Sequence, residues 1–244
     1  MKKMIVANWK MYLTLSQSRA LAKRISKFEI RNSKFTLVLC PSFIALEEVA
    51  KVLRGTRIKL GAQDVEPEAR GAFTGEVGLD DLGEIGVQYV LVGHSERRRE
   101  FNETDAMVHR KLRAILKVGM RPILCVGEPM QVRKGGMEKV RRYVGTQVKI
   151  GLRGVSSRDL KRVIIAYEPV WAIGSDRADT PASASQVHAY IRNLLAVKTT
   201  PILYGGSVNA KNATAFAKDP GIDGLLIGRA STEIAQLRRI LRSI

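Results

Sequence analysis

The sequence predicts an α/β protein built as a closed (β/α)8 barrel. Three observations lead to this fold: eight short apolar segments of strand length, segments of helical periodicity between them, and a length of 244 residues. Strands that alternate with helices form parallel βαβ units, and eight such units typically occupy about 250 residues. We therefore expect a single domain over residues 1–244.

The eight apolar segments are nearly continuous rather than alternating, which is typical of strands that are buried on both faces. They are Met4–Ala7, Phe35–Cys40, Ile58–Gly61, Tyr89–Gly93, Pro122–Val126, Val163–Tyr167, Ile202–Tyr204 and Leu225–Gly228. The clearest helical segments are Ser16–Ser26, Phe43–Val52, Asp105–Val118, Pro181–Ala196 and Ala210–Lys218. Three of them carry helix start signals: Ser42, Thr104, and Thr180 followed by Pro181.

The main competing architecture is an open, doubly wound sheet. Such a sheet commonly has a glycine-rich G-x-G-x-x-G turn after its first strand. Here Asn8-Trp9-Lys10 follows the first strand, with no glycine, so the closed barrel is favoured. The longest irregular stretch is Gln63–Gly78, and a loop of this length in a compact domain predicts a function or an interface.

Charge is the unusual feature of the composition. The chain has 41 basic and 23 acidic residues, for a net charge of +18. Hydrophobic residues at 45% and charged residues at 26% fit a globular protein, and they exclude disordered, collagen-like and disulfide-rich chains. Most basic residues occur in helical segments, so we interpret them as solvated helix faces. No nucleic-acid motif accompanies them, and a nucleic-acid partner is not expected.

The cysteines and the N-terminus predict the compartment. Cys40 and Cys125 lie far apart and outside any C-x-x-C motif, which favours buried thiols in a reducing environment. The first apolar run is too short for a signal peptide, and no run approaches the roughly 18 apolar residues of a membrane span. We expect a cytoplasmic protein that does not enter a membrane. His109 and His188 lie in helical segments and are expected to be structural.

Polar residues gather where the predicted strands end, which is where barrels carry their chemistry. These residues are Asn8 with Lys10, His94 to Arg98, Glu168 to Trp171, Tyr204 to Val208, and Gly228 to Ser231. A lysine, a histidine and a carboxylate at one mouth suit proton abstraction beside a carbonyl group. The two glycine turns suit a phosphate, because their backbone N–H groups can approach an anion closely.

Five segments together resemble the triosephosphate isomerase family, and the match runs from Asn8 to about Ser231. The segments are Asn8-Trp9-Lys10, Gly71 to Glu76, Gly93 to Arg98, Ala166 to Gly174, and Tyr204 to Val208. The resemblance implies a TIM barrel that interconverts dihydroxyacetone phosphate and D-glyceraldehyde 3-phosphate through an enediolate. It also implies that the reaction serves glycolysis and gluconeogenesis and needs no cofactor and no metal.

The resemblance implies a role for each polar residue at the barrel mouth. Glu168 is the general base, and His94 is the electrophile, kept neutral by the helix N-terminus that follows it. Lys10 supplies positive charge to the substrate oxygen and phosphate, and Asn8 orients Lys10 or the substrate. Glu96 is a buried partner near His94 and Lys10. A further residue, Cys125, packs near the general base.

The resemblance also implies a phosphate site, a mobile lid and a homodimer. The phosphate would be bound by Asn8, by Lys10 and by backbone N–H groups of Gly174, Ser207, Gly228 and Arg229. The lid would comprise Pro169, Val170, Trp171, Ala172, Ile173, Gly174, Ser175, Asp176 and Arg177, and would continue to about Thr180, with Tyr204 and Ser207 as its latch. In the loop Gln63–Gly78, the residues Phe73, Thr74 and Gly75 would contact a second subunit.

The chain departs from the family pattern in its lid and after strand 8. Asp176 stands where a second glycine is usual, and Arg177-Ala178-Asp179 stands where Lys-Thr-Ala is usual. Two carboxylates beside a phosphate site predict modified lid closure with weaker substrate affinity. Arg229 replaces a frequent second glycine, and its side chain either adds charge near the phosphate or points away; we favour the latter.

Two other functions compete with an active isomerase. One is a barrel retained for binding, for example a basic protein that associates with nucleic acid. The other is an isomerase of a different phosphosugar. The complete set of Lys10, His94 and Glu168 favours the active triosephosphate isomerase, because a binding module does not need all three.

Overall fold

The strands of the computed structural model form a closed parallel barrel. The structure describes residues 2–28, 35–174 and 179–244. Within these ranges lie β1 (Lys3–Asn8), β2 (Phe35–Cys40), β3 (Lys59–Ala62), β4 (Tyr89–Val92), β5 (Arg121–Val126), β6 (Ile164–Tyr167), β7 (Ile202–Tyr204) and β8 (Gly224–Ile227). Each strand pairs in parallel with the next, and β8 pairs with β1 to close the barrel. The predicted fold class is confirmed.

Helices connect the successive strands. They are α1 (Leu15–Ile25), α2 (Leu46–Leu53), α3 (Leu79–Ile85), α4 (Ser95–Glu100), α5 (Asp105–Lys117), α6 (Met130–Lys134), α7 (Met137–Gly151), α8 (Ser157–Leu160), α9 (Pro181–Leu194), α10 (Ala213–Lys218) and α11 (Ile234–Arg242). Short 3-10 turns lie at Phe43–Ala45, Val170–Ala172 and Arg229–Thr232. None of the helices in the described ranges is long and apolar enough to cross a membrane.

Two of the three predicted helix starts carry a capping side chain. Thr104 accepts a hydrogen bond from the Met107 N–H at the start of α5, and Thr180 accepts one from the Ser183 N–H at the start of α9. Ser42 occupies the N-cap position before Phe43, as predicted, but its side chain makes no capping hydrogen bond. It precedes the 3-10 turn rather than α2, so the helix that it was expected to cap begins later than predicted.

The strand side chains are buried on both faces of the sheet, as the continuous apolar runs predicted. On β1, Met4 and Val6 belong to a cluster that fills the barrel interior, whereas Ile5 and Ala7 belong to the cluster between the barrel and the helices. Successive strand residues point to opposite faces, so both faces must be apolar when helices cover the outside. This packing holds the strand ends, and therefore the polar residues that follow them, in fixed positions.

The imidazole of His188 is a buried structural group in α9. Its Nδ1 lies 3.3 Å from the Gly221 carbonyl oxygen, and its ring packs edge-on against Tyr167, with 5.8 Å between ring centres. Complete burial lowers the pKa of His188 to about 4, although the contact with Gly221 opposes this shift. The folded protein therefore keeps the ring neutral at a pH where an unfolded chain would protonate it.

We expect His188 to make folding sensitive to mild acid. As the pH falls, the His188 imidazole takes up a proton in the unfolded chain but stays neutral in the folded chain. The free energy of unfolding should therefore fall by roughly 2 kcal/mol from about pH 7 to about pH 5 because of this one group. Urea unfolding at both pH values, with His188→Gln as the comparison, measures the contribution. Equal losses of stability in the two proteins would show that His188 is not the source.

A buried ionic cluster lies between α5 and the segments after β3 and β4. The Lys111 Nζ donates to both Asp64 carboxylate oxygens at 2.8 Å and to Glu103 Oε1 at 2.5 Å. Arg97 Nε lies 2.8 Å from Asp64 Oδ2. Burial raises the pKa of Asp64, and the charge of Lys111 opposes that shift. Glu103 Oε2 accepts a hydrogen bond from the Gly93 N–H, so the cluster anchors the turn after β4.

Candidate active site

The carboxyl ends of the strands enclose a cavity of about 350 Å³. Its lining includes nine of the predicted site residues, contributed by segments that are far apart in the sequence: Asn8, Lys10, His94, Glu168, Ile173, Gly174, Ser207, Gly228 and Arg229. Glu96 and Tyr204 lie beside the cavity rather than in its lining. Among the described residues, no group of three or more histidine, cysteine, aspartate or glutamate side chains could hold a metal ion.

Glu168 and His94 face each other at the base of the cavity. Glu168 follows β6, and its Oε2 accepts a 2.9 Å hydrogen bond from the Ser95 N–H at the start of α4. Its Oε1 lies 3.2 Å from His94 Nε2 but accepts no hydrogen bond from the described residues. One carboxylate oxygen is therefore anchored, while the other remains free to act as a base toward a molecule in the cavity.

The backbone around His94 sets which ring nitrogen carries the proton. His94 occupies the N-cap position of α4, and its Nδ1 accepts a 3.2 Å hydrogen bond from the Glu96 N–H. An accepting Nδ1 carries no proton, so the neutral ring has its proton on Nε2, the nitrogen nearest Glu168. The expected short helix at Ser95 thus fixes the ring as a hydrogen-bond donor toward the cavity.

Lys10 is held in place by its backbone and by its side chain. It adopts a left-handed backbone conformation with φ at 48°, which is uncommon outside glycine. The Asn8 side chain accepts a 3.0 Å hydrogen bond from the Lys10 N–H, and Gln63 donates to the Lys10 carbonyl oxygen at 2.9 Å. The Lys10 Nζ donates to Glu96 Oε1 at 2.5 Å. No pattern in the sequence indicated that Gln63 contacts Lys10.

Glu96 is a half-buried carboxylate with a lowered pKa. Partial burial alone would raise the pKa, but the hydrogen bond from Lys10 and the charge of Lys10 outweigh it. Glu96 therefore remains an anion at neutral pH. This charge balances Lys10 and keeps its ammonium group at the edge of the cavity.

The two glycines after β7 are explained by packing around the base. A Cβ atom on Gly205 would lie 3.0 Å from Glu168 Cγ, and one on Gly206 would collide with the Tyr204 side chain. We predicted that these glycines allow a phosphate to approach the backbone closely. In the described part of the structure, the side chains that leave no room for a Cβ atom here are those of Glu168 and Tyr204. The adjacent Ser207 lines the cavity, so this turn forms part of the cavity wall.

Comparison with known proteins covers nearly the whole chain. The sequence model of the family described as triosephosphate isomerase matches residues 3–244. The chain belongs to the triosephosphate isomerase family. It is 44% identical over 249 aligned positions to the triosephosphate isomerase of Aquifex aeolicus, with both chains fully covered. It is 45% identical to that of Treponema pallidum and 42% identical to that of Caldanaerobacter subterraneus, over 98% and 97% of each chain.

The first half of the predicted lid is described in this member of the triosephosphate isomerase family. Pro169 to Gly174 contain the 3-10 turn Val170–Ala172, and Ile173 and Gly174 line the cavity. Gly174 has φ at 69°, a conformation that favours glycine. The predicted lid residues Ser175, Asp176 and Arg177 lie outside the described residues.

A buried carboxylate that the sequence analysis missed contacts the start of the predicted lid. Glu128 accepts hydrogen bonds from the Tyr167 hydroxyl at 3.1 Å and from the Trp171 Nε1–H at 2.9 Å. The Arg133 guanidinium lies 5.1 Å from the centre of the Trp171 ring. Burial raises the pKa of Glu128, and the bonds from Trp171 and Tyr167 oppose the shift. Its only sequence signal was its position two residues after β5.

The far end of the lid differs from what we predicted. Asp179 is buried, its Oδ1 accepts a 2.8 Å hydrogen bond from the Thr180 N–H, and Arg133 lies 3.6 Å from it. It is not among the residues that line the cavity, so the expectation of a second added carboxylate beside the phosphate site was wrong for Asp179. Burial and the charge of Asp179 raise the pKa of the buried Tyr204, so the predicted latch residue lies close to Asp179.

Cys125 lies inside the barrel, close to Glu168. Its side chain is fully buried among apolar strand residues. Burial raises the pKa of the Cys125 thiol well above its usual value, and the negative charge of Glu168 adds to the shift. The thiol therefore stays protonated and packs as a small apolar group.

Proposed function

We propose that this chain catalyses the interconversion of dihydroxyacetone phosphate and D-glyceraldehyde 3-phosphate. The observation that carries the proposal is the pair formed by Glu168 and His94. A carboxylate oxygen without a hydrogen-bond partner among the described residues faces a donor nitrogen 3.2 Å away, inside a cavity that also contains Lys10. Membership of the triosephosphate isomerase family supports the same reaction.

The reaction moves one proton between two adjacent carbons. Glu168 takes a proton from the carbon that bears the hydroxyl group, and the electron pair forms a carbon–carbon double bond. The carbonyl oxygen becomes an enediolate oxygen, stabilised by the His94 Nε2–H and by the charge of Lys10. A proton then passes between the two oxygens through His94, and Glu168 returns its proton to the former carbonyl carbon.

Phosphate binding holds the substrate over this pair. Backbone N–H groups of Gly174, Ser207, Gly228 and Arg229 bind the phosphate at the start of the 3-10 turn after β8, and Lys10 adds a positive charge. Pro169 to Gly174 remain a predicted lid that excludes water during the reaction. For this segment to change position, the hydrogen bond from Trp171 to Glu128 has to break.

A coupled assay tests the proposal. Purified protein and glyceraldehyde 3-phosphate are mixed with an NADH-dependent glycerol-3-phosphate dehydrogenase, which consumes dihydroxyacetone phosphate as it forms. We expect fast loss of NADH absorbance that depends on the amount of protein. Absence of turnover from protein with a cooperative thermal unfolding transition would reject the function.

The proposal includes a homodimer in which each subunit forms one domain. This dimer acts in the cytoplasm, in glycolysis and gluconeogenesis. Large apolar side chains are exposed on segments that follow the first strands, such as Met11 at 92% and Ile44 at 78%. Exposed apolar groups of this kind mark protein interfaces. Phe73, Thr74 and Gly75 are exposed on the loop predicted to reach a partner. Sedimentation equilibrium of the protein and of Phe73→Glu distinguishes dimer from monomer.

The net charge of +18 predicts a salt-dependent encounter with the substrate. A positive field attracts a dianionic phosphate, and dissolved salt screens that field beyond about 10 Å at 0.1 M. We expect kcat/KM to fall by about threefold or more as ionic strength rises from about 0.02 M to about 0.2 M. Unphosphorylated glyceraldehyde is the control, since an uncharged substrate should show a flat profile. A flat profile for both substrates would contradict the prediction.

A further inference from the structure

One charged side chain in the cavity has no part in the reaction as described above. Arg229 begins the 3-10 turn Arg229–Thr232 directly after Gly228, and it lines the cavity together with Tyr12. Its backbone N–H was predicted to bind phosphate, but any residue other than proline could supply that group. The guanidinium therefore requires an explanation of its own.

The guanidinium contacts an aromatic ring and forms no ion pair with an acid in the described part of the chain. It lies 5.2 Å from the centre of the Tyr12 ring, a distance typical of a cation–π contact. The acidic side chain four residues along, Glu233, instead accepts a hydrogen bond from Gln236 at 3.1 Å. Within the described part of the chain, no carboxylate forms an ion pair with Arg229. Its positive charge thus remains available to an anion in the cavity.

Arg229 and Lys10 both lie next to Gly228. A Cβ atom on Gly228 would be 3.4 Å from Lys10 Cε, so the Lys10 side chain passes directly over this glycine. Tyr12 follows Lys10 by two residues and supports the guanidinium of the residue after Gly228. The segments after β1 and β8 therefore present two cations to one end of the cavity, next to the backbone N–H groups of the 3-10 turn.

We propose that Arg229 is a specificity-determining residue whose guanidinium binds the phosphate group of the substrate. A guanidinium offers paired N–H donors that match two oxygens of a phosphate, and its hydrogen bonds to an anion are stronger than those of neutral groups. The contact with Tyr12 already restricts the side chain, which reduces the side-chain entropy lost when phosphate binds. The inference rests on the proposed function and deepens it: Arg229 favours dianionic substrates over uncharged ones, and it binds free inorganic phosphate.

Three variants test this role. Arg229→Gln removes the charge, Arg229→Lys retains the charge but loses the planar group, and Arg239→Gln is the matched control, because it removes the same charge from an exposed position on α11. The readouts are the Kd for inorganic phosphate from calorimetry at fixed ionic strength, the steady-state constants for glyceraldehyde 3-phosphate, and kcat/KM for unphosphorylated glyceraldehyde. Thermal unfolding confirms that each variant is folded.

We expect Arg229→Gln to raise the Kd for phosphate and the KM for glyceraldehyde 3-phosphate about tenfold, with a much smaller change in kcat. The ratio of kcat/KM for phosphorylated to unphosphorylated substrate should fall by about the same factor. Arg229→Lys should recover part of the loss, and Arg239→Gln should match the unmodified protein.

Arg229→Gln constants equal to those of Arg239→Gln would overturn the proposal and leave Arg229 as a packing partner of Tyr12. A loss of the same size for both substrates would overturn it as well, because the effect would then not act through phosphate. If the unmodified protein binds phosphate through Arg229 but fails to isomerise the triose phosphate, the proposed function fails while this inference stands.

Discussion

Replacing Glu168 by glutamine is expected to lower kcat by about a thousandfold, while KM changes far less. Glutamine has nearly the same shape, and its amide oxygen can still accept the hydrogen bond from the Ser95 N–H. It cannot take a proton from carbon, because an amide oxygen is a very weak base. The expected loss is thus a loss of chemistry and not of binding, and steady-state kinetics separates the two.

Glu138→Gln is the matched control for this experiment. Glu138 is exposed on α7, far from the lining of the cavity, and the substitution changes the net charge by the same amount. We expect kinetic constants equal to those of the unmodified protein. If Glu168→Gln retained a tenth or more of the original kcat, another group would have to be the base.

Replacing Lys111 by methionine is expected to destabilise the fold by about 3–5 kcal/mol. The ammonium group of Lys111 is the shared partner of Asp64 and Glu103, and all three side chains are buried. Methionine fills much of the same volume but leaves two carboxylates close together, away from water and without that cation. Removing one member of a buried ionic group costs far more than the group itself contributes.

Lys117→Met is the control, because Lys117 lies on the same helix and is exposed. Its free energy of unfolding should stay within about 0.5 kcal/mol of the original. Adding Asp64→Asn and Glu103→Gln to Lys111→Met should restore part of the stability, since no buried carboxylate then lacks its cation. Equal urea midpoints for Lys111→Met and Lys117→Met would refute the role assigned to the cluster.

Much of the fold could be predicted because barrel strands carry a strong local signal. Strands buried on both faces must be apolar throughout, and the eight predicted runs lie within one or two residues of β1 to β8. Helix boundaries were less accurate. Ala210–Lys218 was predicted as one helix, but α10 begins at Ala213. The Asn209 side chain accepts a hydrogen bond from the Lys211 N–H and the Asn212 side chain accepts one from the Asn209 N–H, and these local bonds compete with helical geometry.

The site could be predicted in part because its main residues directly follow strands. The topology of a parallel barrel brings such residues together, so Lys10, His94 and Glu168 were expected to meet. Glu128 was missed because its importance comes from partners on another strand and in the lid. Long-range partners of this kind leave no pattern in the local sequence.

The contacts of Arg229 and Asp179, two residues that depart from the family pattern, were the hardest feature of the site to predict from the sequence. Whether Arg229 faces the cavity or solvent depends on Tyr12, a residue more than 200 positions earlier in the chain. The Asp179 carboxylate likewise lies near the Arg133 guanidinium, which is on α6. In both cases, the side-chain rotamer depends on a partner that only the folded structure brings near.

The central claim is that Glu168 moves a proton, and isomerisation in D2O tests it most directly. Dihydroxyacetone phosphate formed from glyceraldehyde 3-phosphate is examined by ¹H NMR at the carbon that receives the proton. We predict that a substantial fraction of the product carries deuterium at this carbon, because the Glu168 carboxyl group exchanges with solvent, and that Glu168→Gln forms almost no product. Product that retains hydrogen at this carbon in every molecule would indicate a direct hydride shift and contradict the account.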